Sequence, residues 1–151
     1  MSDVNAIPIL EILGNLVLPL QGEVGDAQCD AATQRVLERA RDEQHRGLVI
    51  DVSAVWLLDS HLCSVLARLA KSARLMGMEV VMCGMSPQVI MTLQMMGVEL
   101  RGIRHARNLG DALGLLGVEL QRRDSWEDEA DLVLAAAEAD QRSITASVAS
   151  S

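Results

Sequence analysis

The stretch Gly47-Leu-Val-Ile-Asp-Val-Ser53, followed by Asp59-Ser60-His61 and a periodic run to Met76, decides the fold. Leu48 to Val52 is short, β-branched, nearly all apolar and preceded by a glycine, which predicts a buried strand. From Leu62 the apolar residues recur at Val65, Leu66, Leu69, Ala70 and Ala73. That is the spacing of an amphipathic helix, and Gly77 is its natural stop. Ser53 to Leu58 between them is apolar but irregular and reads as a connection. Asp59 and Ser60 therefore stand where a central strand hands over to a helix. In α/β folds the ends of strands are where ligands and partners are met. On local grounds Ser60 is a helix N-cap, and Asp59 is equally able to cap.

Working outward, Ile7 to Leu13 and Leu16 to Leu20 are apolar runs separated by Gly14-Asn15, a hairpin signal. Pro8 suits the start or edge of the first strand, where a missing donor costs little. A helix is expected from Asp26 to Gln44, with Ala32, Val36, Leu37 and Ala40 as its apolar stripe. Beyond the central helix, Glu79 to Cys83 predicts a strand closed by Gly84. Ser86-Pro87 then starts a helix, with Ser as cap and Pro in the first turn. Val89, Ile90, Leu93 and Met96 mark its apolar face, and Gly97 ends it. Leu100 to Ala106 holds a short fifth strand, and Asn108 caps a last helix to about Leu120. The order is β-β-α-β-α-β-α-β-α. This predicts an α/β domain over 7–120, with a mixed, mostly parallel sheet of four to five strands and four helices. From Gln121 the composition shifts to an acidic extension over 121–151. Ser125 and Asp128 resemble a capping box, which suggests a helix over 125–140 followed by a polar, disordered end.

The chain has 151 residues, half of them apolar, with no Phe or Tyr and two Trp. One domain of ordinary size with an aliphatic, Met-rich core follows. The formal charge of −8 argues against nucleic acid and against anionic membranes as partners. Cys29, Cys63 and Cys83 are scattered, and no secretory signal is read before them, so reduced thiols in a cytoplasmic protein are expected. Val80 to Val98 is uncharged, but Gly84, Ser86-Pro87, Gln88 and Gln94 interrupt it, so no membrane span is read there.

The usual nucleotide loops are missing. Asp59, Ser60 and His61 are consecutive, and successive helical side chains diverge by about 100°, so they cannot form a triad. His61 and Cys63 lack metal-ligand spacing. No catalytic, cofactor or metal site is expected. Met76, Met78, Met82, Met85, Met91, Met95 and Met96 read as core filler in place of aromatics, with an adaptable binding surface as the alternative.

The order of elements, the Gly47–Ser53 strand, the Asp59-Ser60 pair, Leu75-Met-Gly77 and the run Met91 to Gly102 resemble a STAS domain, the fold of anti-sigma-factor antagonists. Within it the chain is most similar to the RsbS type, the small scaffold subunits of the bacterial stressosome. RsbR-type paralogues carry an additional N-terminal sensory domain, whereas this chain opens almost directly on its first strand. The resemblance implies a non-enzymatic scaffold that sequesters an RsbT-like serine kinase and assembles as homo- or hetero-oligomers with RsbR-type paralogues. It implies that Ser60 is the phosphoacceptor, that Asp59 supports it, that phosphorylation releases the kinase, and that a PP2C-type phosphatase reverses it. Thr92 lies where the paralogues have a second phosphorylatable Thr. His61 departs from the pattern, which has an apolar residue there. A stand-alone anti-anti-sigma factor, phosphorylated at the same serine, is the alternative. A small-molecule-binding STAS module is a third reading, without a residue constellation to support it.

Overall fold

The structure is a computed structural model and describes residues 6–97, 101–119, 134 and 136–138. Its elements run β1 (Leu10–Ile12), β2 (Asn15–Gly22), α1 (Asp26–Asp42), β3 (Gly47–Val55), α2 (Ser60–Leu75), β4 (Glu79–Cys83), α3 (Pro87–Met95), β5 (Arg104–Ala106) and α4 (Leu109–Leu115). They form one five-stranded sheet in the order β1-β2-β3-β4-β5. β1 pairs antiparallel with β2, and the remaining pairs are parallel. This is the mixed, mostly parallel sheet that the sequence predicts.

Strands that are neighbours both in space and in sequence need crossovers of one hand, which place the connecting helices on a common face. Accordingly α1 and α2 cover the side carrying Leu16, Leu18, Leu48, Ile50, Val80 and Met82, and these residues form one buried cluster with them. The alternate residues Val17, Val49, Val81 and Cys83 point the other way and meet Ala112, Leu113 and Val118. Helix α4 follows the last strand and is not a crossover, so it is free to take that second face. With both faces covered, β2, β3 and β4 read as near-continuous apolar runs rather than alternating ones. Their central side chains are buried, each stabilising the fold by roughly 1.5–3 kcal/mol.

Several boundaries differ from expectation, each for a local reason. The hairpin turn is Leu13-Gly14, both at positive φ, and not Gly14-Asn15. Asn15 instead opens β2, buried, with its Nδ2 donating to the carbonyls of Ile12 and Leu13. Strand β3 runs on to Val55 because Ala54 and Val55 keep pairing with β2 past a bulge. The first and last predicted strands shorten to Leu10–Ile12 and Arg104–Ala106, and α4 ends at Leu115. The methionines are not a core filler as a set. Met78 and Met82 are buried, while Met76, Met91, Met95 and Met96 are exposed. Ile90 and Met96, assigned to the apolar face of α3, are exposed as well, and Leu93 alone in that helix is buried.

The chain divides into two compact units, Met1–Glu119 and Leu120–Ser151. In the second, residues 134 and 136–138 are helical and exposed. These fall within the helix expected over 125–140; the remainder of that helix and the polar end lie outside the described residues.

Candidate functional site

The junction of β3 and α2 is built from the strand outward. At its end the Trp56 amide donates to the Gly22 carbonyl at 3.1 Å, tying the connection to β2. Leu58 packs on the core as a half-buried anchor. Between them Trp56 and Leu57 stand out into solvent, 84% and 63% exposed. The Asp59 side chain then accepts from the Leu62 amide at 2.7 Å, and its carbonyl accepts from Cys63. Asp59 is therefore the N-cap of α2, with extended backbone. The two cap readings are separated: Asp59 performs the task, and Ser60 is the first helical residue.

Ser60 is exposed, and among the described residues its hydroxyl has no hydrogen-bond partner. It sits at the positive end of the helix dipole, where first-turn amides have no carbonyl within the helix. Leu62, Cys63, Val65 and Leu66 behind it are buried and fix the helix against the sheet.

Carboxylates surround this end of the molecule. His61 Nε2 lies 3.8 Å from carboxylate oxygens of both Asp26 and Asp30 in the first turns of α1, too far for a hydrogen bond. The same carboxylates are felt by Cys29. Burial, then Asp30, Asp26 and Asp59, push that thiol up to about 11. Burial and then Asp59 also raise Cys63. Both thiols are buried and free, and neither is an activated nucleophile. The site thus offers an exposed hydroxyl, a capping carboxylate, an imidazole facing two acids, and two exposed apolar side chains.

Thr92 is placed differently. It lies inside α3, half-buried, with its hydroxyl donating to the Gln88 carbonyl at 2.8 Å. Sequence reasoning missed a second polar cluster, at the opposite end of α1. There His45 Nε2 approaches Glu43 at 3.3 Å and Glu11 at 3.6 Å, with the His45 side chain 1% exposed. The ligand atoms of Glu11, Glu43 and His45 lie within 4.8 Å of one another. However, Arg39 already pairs with Glu11 at 2.9 Å, so the group is an ion-pair network joining β1 to the end of α1. Arg39, Glu43 and His45 are close in sequence, but Glu11 comes from the distant β1, and spacing alone carried no signal of its approach.

The STAS domain matches residues 6–112, and the chain belongs to the STAS-domain family. Its fold is that of the anti-sigma-factor antagonists. Within this family the chain is similar to RsbS of Moorella thermoacetica in a serine-to-glutamate form, at 32% identity and a TM-score of 0.69, covering 74% of this chain and 94% of that one. It is similar also to a chain of the stressosome, described as a signal integration and transduction hub, at 31% identity and a TM-score of 0.64, covering 73% and 96%. Among curated relatives, the RsbT co-antagonist protein RsbRD of Bacillus subtilis is 24% identical over 115 residues, which are 76% of this chain and 41% of that protein. The chain therefore spans well under half the length of that relative. Among the described residues no helix is long and apolar enough to cross a membrane.

Proposed function

We propose that the protein is a non-enzymatic signalling scaffold of the stressosome type, and that Ser60 is its phosphoacceptor. In this reading the unmodified chain holds an RsbT-like serine kinase at the β3–α2 junction, and phosphorylation releases it. RsbR-type paralogues share the assembly, and a PP2C-type phosphatase restores the free hydroxyl. The observation that carries the reading is the division of labour at the helix start. Asp59 takes the cap, so the Ser60 hydroxyl is left exposed and unbonded.

The chemistry asks little of the scaffold, because a kinase brings nucleotide, metal and base. Phosphate adds about −1.5 to −2 charges at neutral pH. The first-turn amides of α2 accommodate that charge without unfolding. A partner docked over Trp56 and Leu57 would instead have to desolvate a dianion beside Asp59, Asp26 and Asp30. Release follows from that cost. Thr92 is kept as a secondary acceptor in the same proposal. Its modification requires the bond to Gln88 to be given up first.

The test is co-expression with an RsbT-like serine kinase from the same organism, read by intact mass, peptide mapping and co-purification. Ser60→Ala should abolish the phosphate and retain the kinase, and Ser60→Asp should release it. Wild-type kinase binding by both variants sinks the assignment. A large assembly by light scattering supports the scaffold, whereas a mass near one chain favours the stand-alone antagonist.

A further inference from the structure

A chain without Phe or Tyr has few side chains large enough to fill a core, yet this one places Trp56 in solvent. Trp56 is the largest apolar side chain among the described residues and is 84% exposed. Leu57, next in sequence, is exposed as well. Apolar area left in water at neighbouring positions is costly, and a covering partner removes that cost. Burying the indole alone takes on the order of 200 Å² out of water.

The indole is held from both sides. The Trp56 amide donates to the Gly22 carbonyl. Leu58, two residues on, packs against the core. Only Trp56 and Leu57 lie between the end of β3 and that anchor. The backbone therefore carries the indole at a set position, and little chain freedom is lost when a partner covers it.

Charge selects the kind of partner. Residues 22–30 and 53–62 meet here, since His61 of the second segment faces Asp26 and Asp30 of the first. Together the two segments carry Glu23, Asp26, Asp30 and Asp59, all exposed, and contain no Lys or Arg. An apolar side chain set among carboxylates is complemented by a pocket with an apolar floor and a basic rim. A second copy of this chain, at a net charge of −8, is repelled, and so is an anionic membrane.

We propose that Trp56 is the anchor of a docking surface for a protein partner that offers an apolar pocket rimmed by Arg and Lys. The inference rests on the reading of the β3–α2 junction as the kinase-binding site, and it assigns that pocket to the kinase. The rim meets the carboxylates of the α1 start. Ser60, four residues beyond the anchor, has instead to reach the terminal phosphate of the kinase's nucleotide, so a phosphate on Ser60 is repelled there.

The experiment is calorimetric titration of the full chain with an RsbT-like serine kinase from the same organism, at low and at raised salt. Trp56→Ala should weaken binding by about thirtyfold or more. Trp56→Phe keeps an aromatic ring and should retain most of the affinity. Asp26→Asn/Asp30→Asn should weaken binding at low salt and flatten its salt dependence. Leu75→Ala removes an equally exposed apolar side chain at the other end of α2 and should leave affinity unchanged. Melting curves establish that each variant is folded. Wild-type affinity in Trp56→Ala overturns the anchor, and so does an equal loss in Leu75→Ala. A smaller assembly of the free chain in Trp56→Ala, with kinase affinity unchanged, places a second copy on the indole and overturns it too. Binding indifferent to salt overturns the basic rim. A kinase released by Ser60→Asp but held by Trp56→Ala sinks the anchor alone. Binding lost in Trp56→Ala and kept in Ser60→Asp supports the anchor and sinks the switch at Ser60. No binding to wild type overturns both.

Discussion

Helices α2 and α3 start and stop by the same local grammar and end up with opposite characters. Each begins with a side-chain oxygen that accepts from the amide three residues on: Asp59 from Leu62 at 2.7 Å, Ser86 from Val89 at 3.2 Å. Each is followed within two residues by a glycine at positive φ, Gly77 at +90° and Gly97 at +65°. Each carries a hydroxyl that we propose as a phosphoacceptor, Ser60 as the main one and Thr92 as a secondary one. Yet α2 buries seven side chains and α3 buries Leu93 alone. The Ser60 hydroxyl stands at the first position of its helix and has no partner among the described residues, whereas that of Thr92 is consumed inside its own helix. Caps and stops therefore set where a helix lies. Burial decides how firmly it is held, and position within the helix decides whether a hydroxyl is presented.

The largest effect that tests this contrast is in the core. Leu69 on α2 is fully buried, and Leu69→Ala should cost about 2–5 kcal/mol in urea denaturation through lost transfer energy and a cavity. Met95→Ala on α3, where the side chain is largely exposed, should stay within about 0.5 kcal/mol. Equal losses would mean that α3 is anchored as firmly as α2, and the comparison fails.

Next comes alkaline pH. Burial and then Asp51 push Cys83 up to about 12, against about 11 for Cys29, from an ordinary value of 9.0. A thiol whose folded value lies above its unfolded value favours the fold fully below the unfolded one, and the contribution is lost as pH rises through the folded one. Stability should therefore hold to about pH 8–9 and fall progressively between 9.0 and about 12. The three thiols lie on α1, α2 and β4, and none lies on α3. A Cys29→Ala/Cys83→Ala variant, starting from lower stability, should show a shallower fall in melting temperature across that window. An unchanged slope would remove the thiols as its cause.

The fold was legible wherever period and punctuation agreed. Leu62, Val65, Leu66, Leu69, Ala70 and Ala73 announced the buried face of α2, and Ser86-Pro87 announced the start of α3. What misled was the assumption that apolar periodicity implies burial. Ile90 and Met96 have helical spacing, but α3 has too little sheet beneath it to cover them. Gly14-Asn15 between two apolar runs is a hairpin signal, but it does not fix which two residues make the turn. In the structure Leu13 takes a positive φ beside Gly14, since Asn15 is used as a buried donor to the turn carbonyls. The Asp59-Ser60 pair was legible as a helix start, but which residue caps depends on a side-chain rotamer. The approach of His61 to Asp26 and Asp30 depends on α1 and α2 lying side by side, which no local pattern encodes.

Removing each cap separates the two helices at a smaller scale. Asp59→Ala should cost about 1 kcal/mol of global stability, because α2 is part of the cooperative core. Ser86→Ala removes an equivalent bond, but α3 contributes little burial, so part of its cost should appear as local fraying. Hydrogen exchange at Val89 and Ile90 should rise more than the global unfolding energy falls. If Asp59→Ala instead frays α2 locally and leaves global stability intact, α2 is not the anchored helix described here.

The smallest effect concerns the hydroxyl that α3 keeps to itself. Thr92→Ala removes the bond to Gln88, but a threonine bonding back to its helix slightly disfavours that helix. Alanine also has the higher helix propensity, by a few tenths of a kcal/mol up to about 0.7. These gains and the lost bond nearly offset, so melting should move by no more than about 2 °C in either direction. Phosphate incorporated by the kinase should fall little in Thr92→Ala and nearly vanish in Ser60→Ala, when both are followed by intact mass over the same time course. Equal rates of loss would show that the Thr92 hydroxyl leaves Gln88 readily. Presentation would then not distinguish the two helices, and only their burial would.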